Sequence, residues 1–131
     1  MRQLAAIMFT DIVGYSALMS KDESAAMSVL SKNREIQKGS LEKFHGKFIK
    51  EIGDGTLCIF QSSWDAVRCA AFIQSKTHNE SNFCLRIGIH IGDIVISEND
   101  VFGDGVNIAS RIQALSEPGG IWLSERVFED I

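Results

Sequence analysis

The chain opens on a continuously apolar run, Leu4-Ala5-Ala6-Ile7-Met8-Phe9, which predicts a strand over residues 3–10 buried on both faces. Polar residues then gather at Ser20-Lys21-Asp22-Glu23, a Ser-x-x-Glu capping box that predicts a helix start. Ala26, Val29, Leu30, Gln37, Leu41 and Phe44 recur at a helical period up to His45-Gly46, where glycine ends it. Residues 48–52 and 57–60 read as two strands around the tight turn Gly53-Asp54-Gly55. Ser62 and Asp65 cap a second helix with Ala66, Val67, Ala70, Ala71 and Ile73 on its apolar side.

From residue 83 to 91 the pattern becomes strict alternation. Phe83, Leu85, Ile87, Ile89 and Ile91 form the core face, and Cys84, Arg86, Gly88, His90 and Gly92 the other. Glycines on that second face leave room for another backbone or a partner to approach closely. Asp93 to Ile96 continue as a further strand or hairpin arm. A third helix covers 103–115 and is stopped by Ser116-Glu117-Pro118-Gly119-Gly120; Ile121–Leu123 is a strand, and Ser124 opens a last helix. The order β-α-β-β-α-β predicts one α+β domain over 1–131 of the ferredoxin-like plan, with helices on one side of a mainly antiparallel sheet. The final helix has barely begun at Asp130-Ile131, so the domain reads as truncated, with C-terminal strands missing.

Composition narrows the partners. With 131 residues the chain can bury one real core. Its net charge of −4 argues against gripping a nucleic-acid polymer through a basic face. An anionic substrate would then need metal ions or a few placed cations. Cys58, Cys69 and Cys84 lack metal-type spacing and sit in apolar runs, which reads as buried free thiols in a reducing cytosol. No signal peptide is recognisable and no apolar run is long enough to span a bilayer, so the expectation is a cytoplasmic chain without membrane contact.

Asp11 and Asp54 are the acids placed at the ends of central strands beside glycine or small residues. Each is open to a bland reading as a turn residue. Together, with an exposed carbonyl such as that of Ile12, they would form an oxygen-rich site suited to Mg²⁺. Asn107 and Arg111, four apart, project from one face of the third helix, with Ile108, Ile112 and Leu115 on the other side. A neutral donor and a forked cation there suit a phosphate whose charge grows during reaction, although an arginine paired with surface acids is the plainer alternative. His90, a lone histidine, reads as structural rather than catalytic.

In combination these segments resemble the catalytic domains of class III nucleotidyl cyclases, over essentially the whole chain. Phe9-Thr10-Asp11-Ile12-Val13-Gly14-Tyr15-Ser16 is similar to the family's first metal motif. Lys50-Glu51-Ile52-Gly53-Asp54-Gly55 resembles its base-selecting lysine and second metal aspartate, and Arg86-Ile87-Gly88-Ile89-His90 its central strand. The stretch Asp100 to Arg111 resembles the segment carrying the second base-selecting residue and the transition-state pair. The resemblance implies an adenylate cyclase, a lyase making 3′,5′-cyclic AMP and pyrophosphate from ATP. It implies Asp11, Ile12 and Asp54 as ligands of two Mg²⁺ or Mn²⁺ ions, and Lys50 with Asp100 on the adenine edge. Asn107 would orient the ribose and Arg111 would neutralise the α-phosphate. It further implies a head-to-tail homodimer in which these sets come from opposite subunits, the glycine-bearing face of the 83–91 strand being compatible with the interface. Guanylate cyclases typically carry Glu and Cys at the base-selecting places. That type, and a cyclase-like domain that binds without turnover, are the alternatives. Family members continue into further strands that supply another phosphate-binding basic residue, and are commonly fused to sensor or membrane domains.

Overall fold

A computed structural model describes all residues, 1–131. The apolar opening forms β1 (Arg2–Ile12), followed by helices α1 (Tyr15–Lys21) and α2 (Glu23–Lys43). The hairpin β2 (Lys47–Ile52) and β3 (Gly55–Phe60) leads into α3 (Ser63–Glu80), then β4 (Leu85–Ser97), β5 (Asp100–Phe102), α4 (Asp104–Leu115), β6 (Ile121–Leu123) and α5 (Glu125–Asp130). The sheet order is β2-β3-β1-β4-β5, with β6 parallel to β4 and every other pairing antiparallel. This is the expected ferredoxin-like plan with a mainly antiparallel sheet.

Several expectations need correction. The box at Ser20 is not the start of the long helix. Ser20 lies inside α1, and the cap is Asp22, whose carboxylate accepts from the Ala25 amide at 3.1 Å. The alternating segment starts at Leu85, not 83, and runs unbroken to Ser97, so Asp93–Ile96 is no separate arm. Its hairpin partner is β5, reached through a turn in which Glu98 has φ 56°. Helices also lie on both faces of the sheet. One face packs on α2, α3 and α5 through a buried apolar cluster of 19 residues that includes Met8, Leu30, Ile73, Ile89 and Val127. The other packs on α4 through a smaller cluster of 8, including Ile7, Phe9, Ile94 and Ala109.

The glycine face of β4 is therefore filled by the chain itself. A Cβ added at Gly88 would lie 2.3 Å from the Gln113 backbone nitrogen, so α4 is seated directly on the strand. That face is not available to a second subunit, contrary to the expectation above. The buried side of α4 is Gly105, Ala109 and Gln113, two small residues followed by a large polar one. Ile108 and Leu115, read as lying opposite Asn107 and Arg111, are exposed like them, Leu115 at 70%.

Candidate active site

The two aspartates meet at one end of the sheet. Gly53 takes φ 61°, which a two-residue turn with glycine first requires, and Ile52 pairs with Gly55 across it. Gly55 is pressed against β1, since a Cβ there would lie 2.7 Å from the Thr10 carbonyl oxygen. This close approach lets Asp54 Oδ2 accept a hydrogen bond from the Ile12 amide at 2.8 Å. Asp11 precedes that amide by one residue, so both carboxylates sit at the same strand end. Just beneath them Thr10 and Thr56 are paired across the strands, their hydroxyls 2.6 Å apart. The Gln37 amide of α2 donates to Thr10 Oγ1 at 3.2 Å, which fixes the register under the site.

Burial raises the Asp11 carboxyl above its ordinary pKa. The Gln113 amide opposes that rise, the charge of Asp54 adds to it and Arg86 opposes it. Asp11 Oδ1 is buried without a hydrogen-bond partner. Two carboxylates that repel each other, one with an unmatched oxygen, are a hard-oxygen donor set that fits a Mg²⁺-class cation. The chain gathers no group of three or more His, Cys, Asp or Glu for a metal, so further ligands would have to come from water or substrate.

Lys50 and Asp100 are also brought together. In a flat sheet β2 and β5 would stand four strand spacings apart, about 19 Å, farther than the two side chains reach. Here Lys50 Nζ donates to Asp100 Oδ2 at 3.0 Å, so the sheet is coiled enough for its outermost strands to meet. The register shift between Phe48 and Lys50 marks a bulge that re-aims the lysine. The Lys50 hydrogen bond, followed by that of the Val101 amide, holds the Asp100 carboxyl below its ordinary pKa. Both side chains stay partly exposed, so the pair contributes little stability and remains open to a ligand.

Asn107 and Arg111 project outward from α4, both exposed, and neither side chain makes a hydrogen bond or ion pair in the chain. The plainer reading of Arg111, a surface ion pair, is thus not realised. His90 is buried with Nδ1 unmatched, and burial, then Arg126, holds its pKa below the ordinary value. Cys58 and Cys69 are buried, with their thiols pushed up to about 12 mainly by burial, while Cys84 is only half-buried. Sequence reasoning missed Gln113 and the part played by Arg86. The signal for Gln113 was its place in line with Gly105 and Ala109, where a large polar side chain interrupts a small-residue stripe.

The fold is that of a nucleotide cyclase domain. The family model for the adenylate and guanylate cyclase catalytic domain matches residues 2–130. The chain belongs to that family. It is 39% identical over 136 residues to a putative adenylate cyclase 3 of Rhizobium meliloti, covering 98% of this chain but 23% of that protein. Among solved structures, an adenylate/guanylate cyclase/hydrolase from Silicibacter pomeroyi superposes with a TM-score of 0.84 at 38% identity, over 98% of this chain and 79% of that one. The monomeric guanylyl cyclase domain of the RhoGC fusion protein of the fungus Blastocladiella emersonii superposes at 0.93. At 21% identity, over 100% of this chain and 86% of that one, it shows the fold alone. The chain thus spans about a quarter of its curated relative. No helix is long and apolar enough to cross a membrane.

Proposed function

We propose that this chain is the catalytic domain of an adenylate cyclase, a lyase that converts cytoplasmic ATP to 3′,5′-cyclic AMP and pyrophosphate at a homodimer interface. The observation that carries the adenylate reading is the Lys50–Asp100 pair, 3.0 Å apart and accessible. An ammonium and a carboxylate held side by side offer a donor and an acceptor to the adenine edge. A guanylate cyclase would need a different pattern at both positions.

Asp11 and Asp54, with the Ile12 carbonyl, would hold two Mg²⁺ or Mn²⁺ ions. Such ions supply Lewis-acid charge to the triphosphate and lower the pKa of the ribose 3′-hydroxyl. The reaction forms a bond from the 3′-oxygen to the α-phosphorus and breaks the bond to the leaving pyrophosphate. Asn107 would orient the ribose by a side-chain hydrogen bond, and Arg111 would place its guanidinium on the α-phosphate oxygens as their charge grows. Both are exposed and unpartnered in their own chain, which supports a head-to-tail dimer in which they serve the partner's metal half-site. Exposed Phe102 and Ile108, close to them in sequence, fit an apolar contact there.

The test is to incubate the full-length protein with ATP or GTP and Mn²⁺ and identify the product. The reading expects cyclic AMP from ATP and little cyclic GTP-derived product. In the same assay Arg111→Ala lowers kcat by about a hundredfold or more with little change in KM. No cyclic product from either nucleotide, or cyclic GMP as the main product, would overturn it.

A further inference from the structure

Asp11 is held on one side by its strand and faced on the other by α4. Its strand partner in β4 is Arg86, and Phe9, two residues earlier, pairs with Gly88. These side chains share the α4 face of the sheet. Gln113 is seated on Gly88, with its backbone nitrogen 2.3 Å and its Cα 2.6 Å from where a Cβ would be. Ser116 ties down the turn that follows. Its hydroxyl donates to the Gln113 carbonyl at 2.8 Å, and its own carbonyl accepts from Arg86 Nε at 3.1 Å. The residue opposite Asp11 therefore also anchors the end of α4.

The Gln113 side chain is 7% exposed and its Nε2 has no hydrogen-bond partner. The Asp11 Oδ1 is the buried acceptor, likewise unmatched. An unused donor on α4 and an unused acceptor on β1 thus lie on the same side of the sheet, near enough that the Gln113 amide lowers the Asp11 pKa, and each left unmatched is costly. An aliphatic residue would fill the same space without that cost, so packing alone gives no reason for glutamine here.

We propose that Gln113 is a positioning residue for the metal half-site, its carboxamide donating to Asp11 Oδ1 so that the other carboxylate oxygen is aimed at the cation. The inference rests on reading Asp11 and Asp54 as a divalent-cation site. A carboxylate ligand fixed through its second oxygen loses less freedom on coordination, and loss of such an outer partner typically costs 10–100-fold in metal affinity. Gln113 does not touch substrate or the reacting atoms.

The experiment measures Mn²⁺ affinity of the full-length protein without nucleotide, by the paramagnetic resonance signal of free Mn²⁺, in wild type, Asp11→Asn and Gln113→Leu. Thermal unfolding is followed in parallel. The expected result is loss of binding in Asp11→Asn and about tenfold or more weaker binding in Gln113→Leu with the fold retained. If Gln113→Leu does not fold, the flexible Gln113→Met is read in its place. Wild-type affinity in Gln113→Leu, with or without a lower Tm, overturns the positioning role while the metal reading stands. Binding that survives in Asp11→Asn overturns the metal reading, and this inference with it.

Discussion

The two faces of the sheet are built on different terms. On the α2, α3 and α5 face the buried residues are mostly aliphatic, and Gln37 Nε2 donates to Thr10 and Asn33, while Asn33 Nδ2 and Gln37 Oε1 stay unmatched. On the α4 face the apolar cluster is less than half that size, and Asp11, His90 and Gln113 each bury a polar atom with no side-chain hydrogen bond. Unmatched buried atoms thus occur on both faces, but those of the ionisable Asp11 and His90 lie on the α4 face, a cost that stability does not explain. The first face carries the larger core, and the second carries Asp11 of the proposed cation site. Gly88 has α4 against it, whereas Gly39 in α2 has nothing within 4 Å of its missing Cβ.

The contrast predicts opposite signatures for substitutions on the two sides. Asp54→Ala should abolish nearly all turnover, a loss well beyond a hundredfold, for only about 1 kcal/mol of stability. Steady-state kinetics with a denaturant curve would show both. Ile89→Ala, on the large core, should do the reverse: lose about 2–5 kcal/mol in the same denaturant curve, with the surviving folded fraction still turning over. Gly88→Ala lies between them. The new methyl meets helix backbone, which moves less readily than a side-chain tip, so about 1–3 kcal/mol and part of the activity should go together. Gly39→Ala should be the smallest effect and of opposite sign, stabilising by about 0.5–1 kcal/mol because a helix-interior glycine is replaced where space is open. Equal effects of Gly88→Ala and Gly39→Ala on stability would contradict the close seating of α4 on Gly88.

What could be read in advance follows the same line. The large core was legible because Ala26, Val29, Leu30, Leu41 and the odd-numbered residues of 85–91 carry a strong hydrophobic period, and all are buried. The α1–α2 break was hidden because one residue, Asp22 with φ −151°, separates two helices whose patterns run together. The length of β4 was hidden by Gly92-Asp93, which has the composition of a turn but stays extended. The placement of α4 was illegible for a different reason. Its buried face is Gly105, Ala109 and Gln113, and two small residues and a glutamine leave no hydrophobic signal. Asp11, Asp54, Lys50 and Asp100 could be picked out one by one. That Lys50 reaches Asp100 depends on the coiling of the sheet and on a bulge at Ile49, neither of which a linear pattern encodes.

The central claim is that one catalytic site draws Asp11 and Asp54 from one chain and Lys50, Asp100, Asn107 and Arg111 from another. Lys50 lies four residues before Asp54 on the same strand-turn unit, so a single chain would offer the proposed base contact and the proposed metal ligand where one bound nucleotide would find them hard to use together. The direct measurement mixes two variants that are each inactive alone, Asp54→Ala and Arg111→Ala, in the full-length protein. In the heterodimer one site collects both defects and the other collects neither. With random pairing of equal amounts, cyclic AMP formation should return to about a quarter of the wild-type rate. A mixture that stays inactive although heterodimers are shown to form would contradict the shared site.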